Sequence, residues 1–157
     1  MQRILFVCLG NICRSPAAEA IMKAFIAREG LMETISCDSA GTIDDHRGQP
    51  ADPRMQRHAS RRGYTITSIS RPVDPVADFL TFDWIVGMDD QNIHDLRAMD
   101  PKGESTHKIF KMTDFCRHHD LPGVPDPYYG GARGFETVLD ILEDACEGLL
   151  ERVRHAS

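Results

Sequence analysis

Residues 7–16 read V-C-L-G-N-I-C-R-S-P, directly after the apolar run Ile4-Leu5-Phe6. A short continuous apolar run is how a strand buried on both faces reads. Ser15-Pro16 then opens a helix, serine being a capping residue and proline suiting the first helical position. Between strand and helix lies one tight turn holding Cys8, Gly10, Asn11 and Arg14. Such a turn is a natural anion site, because its backbone N–H groups point inward and the helix start adds positive potential. In open parallel sheets ligands sit beyond the carboxyl ends of the strands, which is where Cys8 falls. Donors that hold an anion also favour a thiolate. Arg14 offers a planar fork for two phosphate oxygens. Gly10 permits close backbone approach, and Asn11 is a type that tolerates a left-handed conformation. A lone strand cysteine is more simply a buried packing residue. That reading leaves the glycine, asparagine, arginine, serine and proline around Cys8 unexplained.

Outward from this stretch, Ala18, Ile21, Met22 and Phe25 recur at helical spacing and Gly30 closes the helix. Thr34 to Ser39 reads as a second strand, and the Gly-, Pro- and Asp-rich residues 39–54 as a long loop. A polar helix is expected from Asp52 to Arg62, closed by Gly63, with Arg57, Arg61 and Arg62 on a solvated face. Phe82 to Met88 is the next buried strand, followed by a helix through Leu96 and a strand from Lys108 to Met112. Leu121 to Gly134 reads as a loop. Phe135, Val138, Leu139, Leu142, Cys146, Leu149 and Val153 then share one face of a final helix. Strands alternating with helices imply an α/β protein with a parallel sheet and helices on both sides. At 157 residues, 1–157 is expected to be a single domain with a real core.

A net charge of −6 leaves no basic stripe for nucleic acid or an anionic membrane surface. No apolar run is long enough to span a bilayer, and the apolar residues after Arg3 are too few for a secretory segment, so cytoplasmic residence is the default expectation. Five scattered cysteines fit reduced thiols rather than a disulfide scaffold. His118, His119 and Asp120 are adjacent and read as a solvated turn, so no metal is expected.

The segment C-L-G-N-I-C-R-S-P resembles the phosphate loop of the low-molecular-weight protein tyrosine phosphatases. Asp126-Pro127-Tyr128-Tyr129-Gly130 resembles the general-acid loop of that family, and Ser39 to Thr42 and Asp83 to Asp89 fall where similar segments fall in it. The resemblance covers nearly the whole chain. It implies a three-layer α/β/α domain with a four-stranded parallel sheet, the flavodoxin-like phosphatase fold. It also implies hydrolysis of phosphotyrosine and aryl phosphate monoesters through a cysteinyl-phosphate intermediate, without metal or other cofactor. By that resemblance Cys8 is the nucleophile, Arg14 clamps phosphate, and Asp126 is the general acid and then base. Leu9, Gly10, Asn11, Ile12, Cys13 and Ser15 complete the substrate loop, with Ser15 placed to hydrogen-bond the sulfur and Asn11 bracing the turn. Tyr128 and Tyr129 become walls of a slot for a flat phosphotyrosine ring. The implied partner is a phosphotyrosine-bearing protein, with a bacterial tyrosine kinase among the candidates, and phosphate or other oxyanions occupy the site.

Asp45 aligns where many members of the family carry an aromatic residue, which favours basic residues beside the phosphotyrosine. Ser68 aligns where some members carry a histidine tied to the loop network. Cys13 is either a small packing residue or a thiol with which oxidised Cys8 condenses to a reversible disulfide. Cys37, Cys116 and Cys146 read as structural thiols. The rival is an arsenate reductase-like thiol oxidoreductase on the same fold. Its extra cysteines would fall in the segment around Asp83–Ile93, which has none.

Overall fold

The apolar run of the opening segment is the middle of a parallel sheet. In the computed structural model, which describes residues 1–127 and 130–156, strand β1 spans Gln2–Cys8, with Ile4 to Val7 wholly buried. It pairs in parallel with β2 (Ile35–Gly41) on one side and with β3 (Trp84–Gly87) on the other; β4 (Ile109–Lys111) extends the far edge. The order is β2-β1-β3-β4, the four-stranded parallel sheet expected. Alternation along β1 sends its side chains to two cores. Ile4, Phe6 and Cys8 pack with helices α1 (Arg14–Arg28), α2 (Pro53–Arg61) and, late in the chain, the long α5 (Gly131–Arg154). Leu5 and Val7 face the other layer, where α3 (Ala77–Thr81) contributes Phe79 and α4 (Asp90–Ala98) contributes Ile93 and Leu96.

Register determines where a ligand can enter. Cys8 lies opposite Gly41 and Val7 opposite Gly87, so the carboxyl ends of β2, β1 and β3 open at one edge.

Several elements differ from the sequence-based expectation. Helix α1 starts at Arg14, ahead of Ser15-Pro16, and Ser15 does not cap it because its hydroxyl is turned into the loop interior. Strand β2 runs on to Gly41, two residues past the expected end at Ser39, since Ser39 to Gly41 pair with Phe6 to Cys8. Asp52 caps α2, its carboxylate accepting the Arg54 N–H at 2.8 Å. Strand β3 is shorter than Phe82–Met88, with the unforeseen helix α3 ahead of it. Helix α5 begins at Gly131, inside the expected loop. Arg57 and Arg61 are exposed as expected, but Arg62 is not. It lies against α5, donating to Glu136 at 2.8 Å and Glu143 at 2.6 Å with Asp140 at 2.9 Å. The carboxylates share one face of a remote helix, a juxtaposition local spacing does not reveal.

No helix among the described residues is long and apolar enough to cross a membrane.

Gly148 sits in the interior of α5, where glycine weakens a helix. A Cβ there would lie 1.9 Å from the Phe115 carbonyl oxygen, at the end of the 3₁₀ turn Met112–Phe115. The missing side chain lets that turn seat directly on the helix. Gly148→Ala is therefore expected to destabilise the protein by about 1–3 kcal/mol through overpacking, against the roughly 1 kcal/mol that alanine's helix propensity would add. Urea unfolding measures it, and a variant as stable as the parent would contradict this packing.

Candidate active site

The turn after β1 is held from behind. Thr42 and Ile43 donate their N–H groups to the carbonyls of Cys8 and Leu9 at 3.0 and 3.1 Å. Ser70 Oγ donates to Gly10 O at 3.0 Å and Asp52 N–H to Ile12 O at 2.8 Å. These bonds engage the carbonyls of Cys8, Leu9, Gly10 and Ile12, so the amides of the turn are the groups an anion there would meet. Close seating on β2 requires Gly41, where a Cβ would stand 2.7 Å from Leu9 O.

Asn11 is the only non-glycine residue with positive φ among those described, at 57°. Its side chain stabilises that conformation from both ends. Nδ2 donates to Ser15 Oγ at 2.8 Å and Ser39 Oγ at 3.0 Å, while Oδ1 accepts the Arg71 N–H at 3.1 Å. Ser15 Oγ stands 3.0 Å from Cys8 Sγ. Ser39 in turn donates to Glu19 Oε1 at 2.6 Å, and Lys23 donates to the other oxygen of that buried carboxylate. A buried charge persists only when paired, and Lys23 supplies the cation. Ser68 makes no bond within this relay; it borders the small cavity beside Glu19 and Lys23. Sequence reasoning passed over Lys23, whose position four residues after Glu19 on one helix was the available signal.

Arg14 is 4% exposed. Its Nη1 donates to Asp89 Oδ2 at 2.7 Å and to Val124 O at 3.0 Å, and Nη2 stands 3.9 Å from Asp126 Oδ2. Burial opposes the charge, but the adjoining Cys8 and the Asp89 carboxylate outweigh it and hold the guanidinium above its ordinary pKa. Asp89 also caps α4, with Oδ1 accepting the Asn92 N–H at 2.8 Å. Sequence reasoning placed Asp89 in a family-like segment without giving it a role. The Asp-x-x-Asn cap was its only local sign.

These groups surround a cavity of about 350 Å³. Cys8, Leu9, Gly10, Ile12, Cys13 and Arg14 form its floor, and Ile43, Asp45, His46 and Asp126 its rim. Asn11 and Ser15, expected among the substrate contacts, are buried behind the loop and hold it. His46, not foreseen, lies against Gly10, where a Cβ would meet its ring at 2.9 Å, and its Nδ1 bonds Gln49 at 3.1 Å. Asp45 is exposed and takes no partner among the described residues, whereas Asp44 pairs with Arg47 at 3.2 Å. Tyr128 and Tyr129 lie outside the described residues. All five cysteines are free thiols. Burial, then Asp52 and Cys8, push Cys13 up to about 12, so it rests as a protonated thiol beside Cys8.

Comparison with known proteins finds relatives along nearly the whole chain. A family profile described as low molecular weight phosphotyrosine protein phosphatase matches residues 3–157. The low molecular weight protein-tyrosine-phosphatase YfkJ of Bacillus subtilis is 40% identical over 154 residues, covering 98% of this chain and 97% of its own. Its crystal structure superposes with a TM-score of 0.91 over 98% of this chain and 95% of that one. A protein tyrosine phosphatase from Entamoeba histolytica, crystallised with Hepes in its active site, is 52% identical with a TM-score of 0.94, covering 98% and 97% of the two chains.

Removing the charge of Asp89 tests how Arg14 is held. Asp89→Asn keeps an oxygen to cap α4 but leaves the buried guanidinium without its nearest carboxylate. It is expected to cost about 1–3 kcal/mol of stability, and Asp89→Ala about 1 kcal/mol more through the lost cap. Unfolding in urea ranks the three proteins; equal midpoints would refute the role assigned to Asp89.

Proposed function

The chain belongs to the low molecular weight phosphotyrosine protein phosphatase family, and from that premise we propose that it hydrolyses phosphotyrosine in proteins by two-step transfer through Cys8. The observation that supports this reading is the meeting of the Cys8 thiol, the buried Arg14 guanidinium and the Asp126 carboxyl in one cavity. In the first step the Cys8 thiolate forms the S–P bond as the P–O bond to the tyrosine ring breaks. Asp126, on the rim facing Arg14, gives its proton to the departing phenolic oxygen. The loop amides and Arg14 hold the three equatorial oxygens, where charge must be stabilised in the transition state. In the second step water attacks phosphorus, Asp126 takes its proton, and the S–P bond breaks. Ser15 Oγ, 3.0 Å from the sulfur, donates to the thiolate that leaves.

The rim sets what flanks the phosphotyrosine. Asp45 brings an unpaired carboxylate to a cavity whose floor takes a dianion, so the preferred protein substrate carries a cation beside its phosphotyrosine. A tyrosine kinase phosphorylated at such a sequence is one candidate substrate.

Cys8→Ser is expected to abolish aryl phosphate hydrolysis while leaving the unfolding midpoint near the parent's; measurable turnover would refute the nucleophile. Asp126→Ala should lower kcat by about 10²–10⁴-fold, most for aryl phosphates with poor leaving groups. A uniform loss across leaving groups would refute the acid role. For Asp45, an exposed charge pair is worth about 0.2–1 kcal/mol. Phosphotyrosine peptides flanked by lysine should therefore exceed glutamate-flanked ones in kcat/KM by roughly 1.4- to 5-fold. Asp45→Asn should remove the difference, and its persistence would exclude Asp45 as the cause.

A further inference from the structure

Outside the Cys8 cavity, against α5, three side chains of metal-binding type converge. Cys116 and His119 both lie in the turn after Met112–Phe115, and Asp144 projects from α5. One ligand atom of each lies within 4.8 Å of the other two, and His119 Nδ1 is 2.7 Å from Asp144 Oδ2. A tetrahedral ion with bonds of 2.0–2.3 Å needs donors about 3.3–3.8 Å apart, so each pair stands within about 1 Å of that spacing. His119, expected in a solvated turn, is half-buried against Asp144.

We propose that Cys116, His119 and Asp144 form a zinc site that clips the 116–119 turn to α5, with water as the fourth ligand.

Three observations carry it. The donors are already oriented: Asp144 Oδ1 accepts the Arg117 N–H and Oδ2 the His118 N–H, both at 2.9 Å. Such bonds around a carboxylate are what a metal ligand needs from its second layer of partners. The set also has the right chemistry and charge. Thiolate, imidazole and carboxylate together suit zinc, and Zn²⁺ with one thiolate, one carboxylate and a neutral histidine sums to zero. Finally, the site faces a groove bordered by Tyr64, His118, Glu143 and Glu147, which leaves room for a water ligand. Without metal, burial and then Asp144 push the Cys116 thiol up to about 12, so zinc must displace its proton. Asp144 is held down to about 2, its burial outweighed by the Arg117, His119 and His118 bonds, and meets the ion already ionised.

Zn²⁺ replaces the Cys116 proton, which leaves to solvent, and the S–Zn bond forms. His119 passes its Nδ1 proton through water to Nε2 and ligates through Nδ1. Asp144 exchanges the His119 hydrogen bond for the metal and keeps that of His118. One proton is released per ion.

The test uses Cys8→Ser as parent, which removes the active-site thiol, in a phosphine rather than a thiol reductant. Titration with Co²⁺ should give a thiolate-to-cobalt band in the near ultraviolet and visible bands of tetrahedral intensity at one ion per chain. Zn²⁺ should displace the cobalt, and Zn²⁺ added to the metal-free protein should release one proton. Adding Cys116→Ser should abolish the near-ultraviolet band. His119→Gln, which keeps every remaining thiol, should weaken Zn²⁺ binding by at least about 100-fold, beyond the usual loss for a second-layer partner. Absence of the band, its survival in the Cys116→Ser protein, or unchanged zinc affinity in His119→Gln would each overturn the site and leave a hydrogen-bonded turn clamp only. Because the parent lacks Cys8, none of these outcomes depends on the phosphatase reading.

Discussion

A guanidinium that is 4% exposed must find anions, and the partners of Arg14 tie together the end of the fold where the cavity opens. Asp89 comes from the connection between β3 and α4, while Val124 and Asp126 come from the long segment before α5. Val124 is itself fastened to the end of β3 by its N–H bond to Met88 O at 2.8 Å. Holding one buried cation thus brings two distant stretches of chain to the loop that carries Cys8. The same cation is the natural counterpart for phosphate, so one constraint serves both packing and binding.

A second constraint acts on the backbone. Asn11 costs free energy in its left-handed conformation, and a chain of buried bonds through Ser15, Ser39 and Glu19 offsets that cost. The chain ends at the ammonium of Lys23, which is 55% exposed. A network satisfied at every member is rigid. Here it fixes the loop whose amides, in the proposed mechanism, hold the phosphate oxygens. The net charge of −6 does not defeat this design, because at physiological salt charges beyond about 8 Å are screened. The loop donors would act on a bound phosphate at contact.

Much of this was legible in the opening segment. Ile4 to Val7 announced a buried strand, Gly30 and Gly63 closed their helices with positive φ, and the apolar face of α5 is buried as its spacing implied. These are local or periodic signals. Errors gathered where a side chain had a choice between local and remote partners. Ser15 had the right chemistry to cap a helix, but its hydroxyl is turned toward the Cys8 sulfur instead. Arg62 had the spacing of a solvated residue but three carboxylates of α5 within reach. His119 had a solvated-looking neighbourhood in sequence and Asp144 beside it in space.

The sequence by itself determined the strand-turn-helix, the glycine and asparagine that shape its backbone, and the residues Cys8, Arg14 and Asp126 to which the proposed reaction is assigned. Backbone conformation and residue chemistry are encoded within a few positions, so they can be read there. Tertiary structure alone decided that Asp89 holds Arg14, that Lys23 anchors the loop relay, and that Cys116 and His119 meet Asp144. Those pairings join residues on separate strands, turns and helices, or settle which of several nearby charges a side chain takes. For Asp89 and for Asp144 that strength comes from partial exclusion of water between groups that only the packed sheet and helices bring together.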